Sequence, residues 1–431
     1  MYELGIENGY VYVNGGFHRI NVYVNGSHIA ALSEEKLSCH KPVNAGGKYV
    51  LPGFIDPHVH FALGVGQNVS KDDFYTGSVE AALGGVTTYI DFLDPVKRAG
   101  QIEDEFKKRH SMAENSIVDY AFHTTIANPD DSPQEIFDKS LDVGINSVKL
   151  FTTYADTDRR TCDGYIMELL KESAKKGGIV VIHAENDDLI DKRKDIPVKD
   201  HSKARPPISE NIEVMKLAQM ARASGGHLYI VHVSAGSSVE LLKKNFIKEL
   251  KSHQIILESC PHYFLLNDGC LAKEDGFRYT MTPPLRPEKD RRLLNENIDV
   301  ISTIGTDHCP YTMEQKKHEF TSEIPMGIGG IKYSFLNMYG LYGFDVLPRF
   351  TAAPAAAYGL KSKGELLPGM DADIVVFNDK GSTAVDDDMS VYNGKILKGE
   401  IETVFSRGSI VADKGVIREH KGEYIYRTGL G

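Results

Sequence analysis

Leu51-Pro-Gly-Phe-Ile-Asp-Pro-His-Val-His60 decides how the rest of this chain is read. An apolar run rich in β-formers ends in two histidines one residue apart, and side chains two apart on a strand share a face. The spacing puts His58 and His60 on a first strand, aimed at one point, where two imidazoles can grip a metal. A lone His-x-His pair is more often a pair of strand histidines satisfied by backbone. Here Lys149, His183, His232 and Asp307 each also end a short apolar, strand-like run. Together the six can hold two divalent cations, the equipment of a metal-assisted hydrolase.

Outward from that stretch, strand-like and helix-like runs alternate. The strand candidates are Tyr49–His60, Val86–Leu93, Tyr120–Ala127, Ser147–Tyr154, Ile179–Glu185, His227–Ser234, Ile255–Phe264 and Val300–Pro310. Amphipathic helical stretches lie between them, among them Asp72–Leu83, Pro133–Leu141, Asp163–Lys175, Ser209–Ala223 and Ser237–Leu250. Eight strands alternating with helices predict an α/β fold, a (β/α)8 TIM barrel, over 51–359. The polar residues sit at the C-terminal ends of their runs, where the βα-loops of such a barrel converge. Both chain ends read differently. Short alternating segments broken at Asn8-Gly9, Asn14-Gly15-Gly16 and Asn25-Gly26 predict β-hairpins, and the style returns around Asp371–Phe377, Ile401–Phe405, Asn393-Gly394 and Lys414-Gly415. Residues 1–50 and 360–431 are therefore expected to form one small β-sandwich domain.

The 431 residues are 41% hydrophobic and 25% charged, the composition of an ordinary globular protein. A formal net charge of -11 argues against sequence-independent binding to nucleic acid or to an anionic membrane surface. No apolar stretch is long enough to span a bilayer. The N-terminus, Met-Tyr-Glu-Leu-Gly-Ile, has no basic segment followed by an apolar core, so no signal peptide is expected. Cys39, Cys162, Cys260, Cys270 and Cys309 are few and scattered, neither a disulfide framework nor a zinc ribbon. A cytoplasmic setting is the simplest reading.

Lys149 lies in Ser-Val-Lys-Leu-Phe, among residues that argue for burial, and a buried lysine titrates low. A neutral amine can capture CO2 as a carbamate. Charge balance favours this: two divalent cations bring four positive charges, Asp307 and a bridging hydroxide offset two, and an ammonium would repel both metals. Lys149 is accordingly read as a carboxylated ligand bridging the two ions. His183 and His232, each after three apolar residues, are assigned to the second ion, and Asp307 to the first. Asp307 is also expected to take a proton from the bridging water and pass it to a leaving nitrogen. His308 is assigned to orient Asp307. Mixed imidazole, carboxylate and carbamate ligands suit Zn2+ best, with Mn2+, Co2+ or Fe2+ as alternatives. His123, His201 and His262 read as core histidines, and Cys260 and Cys309 as packing residues.

The pattern Pro52-Gly-x-x-Asp56-x-His58-x-His60 resembles the amidohydrolase superfamily. With Asp72-Asp-Phe-Tyr-Thr-Gly77, Ala81–Thr88, Val148-Lys-Leu-Phe151 with Tyr154, His183-Ala-Glu185, Glu258-Ser-Cys-Pro261, Thr282-Pro-Pro-Leu-Arg286, Asp307-His-Cys-Pro310 and Gly364–Asp373, the chain is similar to the dihydropyrimidinase and hydantoinase branch of the cyclic amidohydrolases. The resemblance implies hydrolysis of a five- or six-membered cyclic ureide to an N-carbamoyl amino acid. It implies that the Tyr154 hydroxyl polarises the carbonyl, that Thr282 holds the ring through backbone groups, and that the chain forms a homodimer or homotetramer.

Several positions depart from the relatives' patterns. Ala62 stands where dihydroorotases carry the arginine that grips the substrate carboxylate, which disfavours dihydroorotate. The allantoinase pattern around the first two strands is a poorer match. Met326 replaces the asparagine usual in hydantoinases, and Ala-Asp-Thr-Asp-Arg-Arg160 replaces an apolar gate. Phe61, Leu63 and Phe151 are expected to line an apolar pocket, with Met326 against the substrate. Arg159 and Arg160 read as a solvated loop face, with recruitment of an acidic exocyclic group as the second option. The rivals are dihydroorotase, allantoinase or deacetylase activity, or a non-catalytic scaffold related to dihydropyrimidinases. Every ligand position is filled, which weighs against the scaffold.

Overall fold

A computed structural model describes residues 1–430 of the chain. Its centre is an eight-stranded parallel sheet in sequential order. We label its strands β1 (Phe54–Asp56), β2 (Val86–Phe92), β3 (Asp119–Thr125), β4 (Ser147–Phe151), β5 (Ile179–His183), β6 (Leu228–Ile230), β7 (Ile255–Ser259) and β8 (Thr303–Ile304). The ring is completed beyond the strand ends, where Val59 bridges His308 and the His60 amide donates to the His308 carbonyl at 2.9 Å. Helices return between the strands, as the helical periodicity predicts. Pro133–Asp142 starts at a capping box of Ser132 with Glu135, and Phe74–Leu83 starts at one of Asp73 with Thr76. The chain folds as a (β/α)8 TIM barrel.

The strands stop earlier than the apolar runs suggest. The Ile255–Phe264 run is a strand only to Ser259, and Pro261–Leu265 is helical. His232 and Asp307 lie past the ends of β6 and β8, with left-handed backbones at φ 38° and 50°. A residue in that region cannot continue a strand. His58 and His60 likewise follow β1 rather than sit on it, because β1 ends at Asp56.

The expected first strand is in fact two. Tyr49–Pro52 pairs antiparallel with Ile374–Phe377 and parallel with Tyr10–Val11, in a seven-stranded sheet mixing both chain ends. A second, four-stranded sheet holds Tyr2–Glu7, Asn21–Asn25, His28–Ser33 and Cys39–Asn44. The two share a core of Leu4, Ile6, Val11, Val24, Val50, Ile374 and Phe405. Asn14-Gly15 and Asn25-Gly26 turn hairpins, but Asn8-Gly9 does not: it carries the chain from one sheet to the other. A Cβ on Gly9 would lie 2.7 Å from Val50, so only glycine fits that corner. The expected boundary at 50/51 thus falls inside a strand of the outer sheet. At the far end, residues beyond Ile417 leave the β-sheets and pack along the barrel: Tyr424 bridges Tyr120, Arg427 is buried against Tyr358, and the Leu430 amide donates to Gly177.

Candidate metal centre

His58 Nε2, His60 Nε2 and Asp307 Oδ1 form a triangle with every side 3.2 Å. Two turns of chain make it. Asp56, the last residue of β1, accepts from the His58 amide at 3.1 Å and from the amide and hydroxyl of Thr306 at 3.1 and 2.6 Å. One carboxylate thus ties the loop after β1 to the loop after β8. Gly305 lets them meet, since a Cβ there would lie 2.8 Å from the Glu258 carboxyl and 3.0 Å from His58. Behind His60, Asp91 of β2 accepts from the Phe61 amide at 2.7 Å and is paired with the buried Arg109.

Across the barrel mouth, His183 Nδ1 and His232 Nε2 are 3.1 Å apart. The His58 and His232 rings lie 5.3 Å apart. The Lys149 amine is buried 5.3 Å from the centre of the Phe92 ring, which packs against both His58 and His60. All six sequence-derived ligands therefore face one space. Ligands 2.0–2.1 Å from a tetrahedral zinc stand about 3.3 Å apart. The observed 3.1–3.2 Å separations match that spacing, so the donor set fits a divalent cation on chemistry and on geometry.

Each imidazole is aimed by a carboxylate or left open. Glu258 of β7 accepts from His58 Nδ1 at 2.9 Å, from the Tyr229 hydroxyl at 2.7 Å and from the His232 amide at 3.1 Å. Glu185 accepts from His183 Nε2 at 2.7 Å and is clamped by Arg205, at 2.6 and 3.2 Å. These contacts fix the ring orientations and turn His58 Nε2 and His183 Nδ1 to the centre. His232 Nδ1 is buried without a partner.

Burial sets the protonation states. It lowers His60, His183 and His232 below the ordinary imidazole value, which leaves them neutral ligands at pH 7. Burial also acts to lower His58, but the carboxylates of Glu258 and Asp307 lift it to about 9, so an arriving cation displaces a proton there. Burial would raise the Asp307 carboxyl, yet His58 and His60 hold it well below the usual range. Burial pulls the Lys149 amine down to about 8 and pushes the Tyr154 phenol up to about 12.

A cavity of about 800 Å³ opens over this centre, lined by the six candidate ligands and by Leu63, Phe151, Tyr154, Thr282 and Met326. The sequence model of the amidohydrolase family matches residues 49–411, the segment that carries every one of these residues. The chain belongs to that family. This amidohydrolase is 30% identical to a D-hydantoinase of Streptomyces coelicolor, over 94% of this chain and 93% of the relative. It is 29% identical to the D-hydantoinase of Ralstonia pickettii, over 96% of each. Among solved structures it superposes on a dihydropyrimidinase from Brevibacillus agri with a TM-score of 0.91, 26% identity and full coverage of both chains. A D-hydantoinase from a Thermus species gives 0.91 and 27% over 99% of each. The family and the ligand cluster together support divalent metal binding.

Two expectations for the amidohydrolase's site need correction, those for Phe61 and His308. Phe61 does not reach the cavity. Its ring is buried edge-on to Tyr89 at 4.9 Å and under Gly77, where a Cβ would meet it at 2.3 Å. Phe61 has the opposite parity to His58 and His60, so the alternation that aims the two imidazoles at the site turns the Phe61 ring away from it, into the layer between barrel and helices. His308 does not orient the Asp307 carboxylate. Its Nδ1 accepts from the Gly330 and Ile331 amides at 3.1 and 3.2 Å, so its Nε2 carries the proton and donates to Asp72 at 2.8 Å. Arg159 and Arg160 part company: Arg159 lines the cavity, whereas Arg160 turns toward Asp188 at 3.7 Å.

In the sequence Glu185 and Glu258 stand out only as parts of motifs, and nothing marks Arg205, whose guanidinium lies 5.3 Å from the centre of the Tyr154 ring. An acidic residue two after a ligand, or inside an otherwise apolar β run, was the available signal. Asp119, Asp371 and Asp373 form a second acidic cluster. The Lys363 ammonium sits among them, at 2.5, 2.9 and 2.7 Å from the three carboxylates, and the Arg407 guanidinium adds a second cation at 2.8 Å from Asp119.

Proposed function

We propose that this amidohydrolase opens the amide bond of a cyclic ureide, a dihydropyrimidine or hydantoin, to an N-carbamoyl amino acid. The carrying observation is the pair of ligand groups, 3.2 and 3.1 Å between donors, at the mouth of a barrel that matches hydantoinases over nearly its whole length. His58, His60 and Asp307 would hold one ion, His183 and His232 the other, and a carbamate on Lys149 would bridge them. Zn2+ is the proposed metal, with Mn2+, Co2+ or Fe2+ as substitutes. When bound, the ions supply Lewis acidity and lower the pKa of water to near neutrality.

The chain's own groups do the rest. The Asp307 carboxylate, ionised at neutral pH, accepts a proton from the attacking water and delivers it to the leaving ring nitrogen. The Tyr154 phenol stays protonated and donates a hydrogen bond to the carbonyl oxygen as charge builds there. The left-handed turn at Tyr154, φ 67°, fixes where the ring leaves the backbone; its amide donates to Asp187 at 2.9 Å. Thr282 and Met326 would contact the ring, and Leu63 and Phe151 give an apolar wall for its substituent. The free cysteines suit a reducing cytoplasm, and assembly as a homodimer or homotetramer is proposed from the resemblance alone.

The test is ring-opening measured in parallel on dihydrouracil, hydantoin, 5-substituted hydantoins, dihydroorotate and allantoin, with bound metal counted. Turnover of the first three classes is expected. Inactivity on all of them with two metals bound per chain would overturn the reading. Fewer than one bound metal per chain under every loading condition would favour the scaffold.

A further inference from the structure

Lys316 is buried at 1% exposure with no carboxylate beside it. Its ammonium instead sits in a cage of oxygens: the Thr280 carbonyl at 2.6 Å, the Gly327 carbonyl at 2.8 Å, the Thr280 hydroxyl at 2.9 Å and the Pro325 carbonyl at 3.3 Å. It is absent from the cavity wall, so it does not meet substrate. Burying an amine without a counter-charge is costly. Something in the arrangement has to repay it.

The caged carbonyls bracket two residues that do line the cavity. On one segment Lys316 takes Thr280, His201 Nε2 donates to Met281 at 2.9 Å, and the Tyr263 hydroxyl donates to Pro283 at 2.6 Å. Thr282 stands between them, and neither its amide nor its carbonyl bonds to any described residue. On the other segment Lys316 takes Pro325 and Gly327, and the peptide groups of Met326 are likewise free. The Gly327 amide reaches the Thr280 carbonyl at 3.2 Å and joins the segments. Their neighbours are tied back by buried donors, while Thr282 and Met326 keep open donors and acceptors. A cyclic ureide offers alternating N–H and C=O edges that such peptide groups complement.

We infer that Lys316 is a positioning residue: it draws the 280–283 and 325–327 segments together so that the Thr282 and Met326 peptide groups remain free to hydrogen-bond the substrate ring. His201 and Tyr263 assist from the far side of the first segment. The inference rests on the ring-opening function proposed above.

The experiment compares wild type, Lys316→Met and Tyr263→Phe on the best ring substrate, with metal content and melting temperature recorded. Loss of one ring hydrogen bond raises KM by about fivefold. That rise is expected in Lys316→Met, with kcat falling by a smaller factor and metal content unchanged. A lowered melting temperature with KM unchanged would make the cage purely structural and overturn the inference. Should Lys316→Met fail to fold, Tyr263→Phe decides, since it deletes a single hydroxyl: a raised KM supports the inference and an unchanged KM overturns it. Wild type inactive on every ring would instead sink the proposed function, and the role of Lys316 with it.

Discussion

Stripped of metal, the protein should reload faster as pH rises, with a dependence set by Lys149. Only the neutral amine attacks CO2, and burial brings that amine from 10.5 to about 8. At pH 7 about one molecule in ten then carries it neutral, against about one in three thousand for an unburied lysine. At pH 6 the fraction drops to about one in a hundred. The CO2-dependent part of the loading rate should therefore climb about ninefold from pH 6 to 7, about fivefold from 7 to 8, and level off above 9. His58, raised to about 9, titrates in the same direction, so rates are compared with and without CO2 at fixed dissolved CO2. The same depressed value carries a stability cost. It is full below pH 8, where the unfolded chain binds the proton and the folded chain is strained to, and it vanishes above 10.5, where both are neutral. Below pH 8 the cost is about 3 kcal/mol. Lys149→Met should thus stabilise the stripped protein by up to that amount in denaturant melts while abolishing two-metal loading. A loading rate indifferent to CO2, or flat from pH 6 to 8, would refute the reasoning.

Tyr154→Phe should lower kcat by about 10²–10³ with little change in KM, measured at matched metal content. Glu185→Gln frees the His183 ring and should weaken metal binding by about 10–100-fold in a chelator competition. Lys363→Met removes the cation shared by Asp119, Asp371 and Asp373, leaves only Arg407 beside Asp119, and should cost about 3–5 kcal/mol in urea unfolding. Arg159→Ala should raise KM for 5-substituted hydantoins that carry a carboxylate and leave neutral ones unaffected; an equal change in both would remove Arg159 from substrate recognition.

The barrel and the grouping of its candidate ligands could be read from the chain because both depend on local pattern. Apolar runs of strand length, helix caps such as Ser132 and Asp73, and polar residues at the ends of the runs are all written within a few neighbours. The convergence of the six candidate ligands on one space needed only the rule that βα-loops meet at one end of such a barrel. Tertiary structure decided the remainder. Tyr49–Pro52 and Phe54–Asp56 look continuous in sequence, yet pairing with Ile374–Phe377 draws the first into another sheet. Left-handed backbones at His232 and Asp307 lie where hydrophobicity alone would have prolonged the strands, and the packing of Phe61 against Phe74 and Tyr89 fixed it in the core. Glu258 aims His58 from 200 residues away, and Lys316 holds Thr280 from 36. Such contacts leave no local trace, because a buried charge is placed by the oxygens and nitrogens that fold around it and not by its neighbours along the chain.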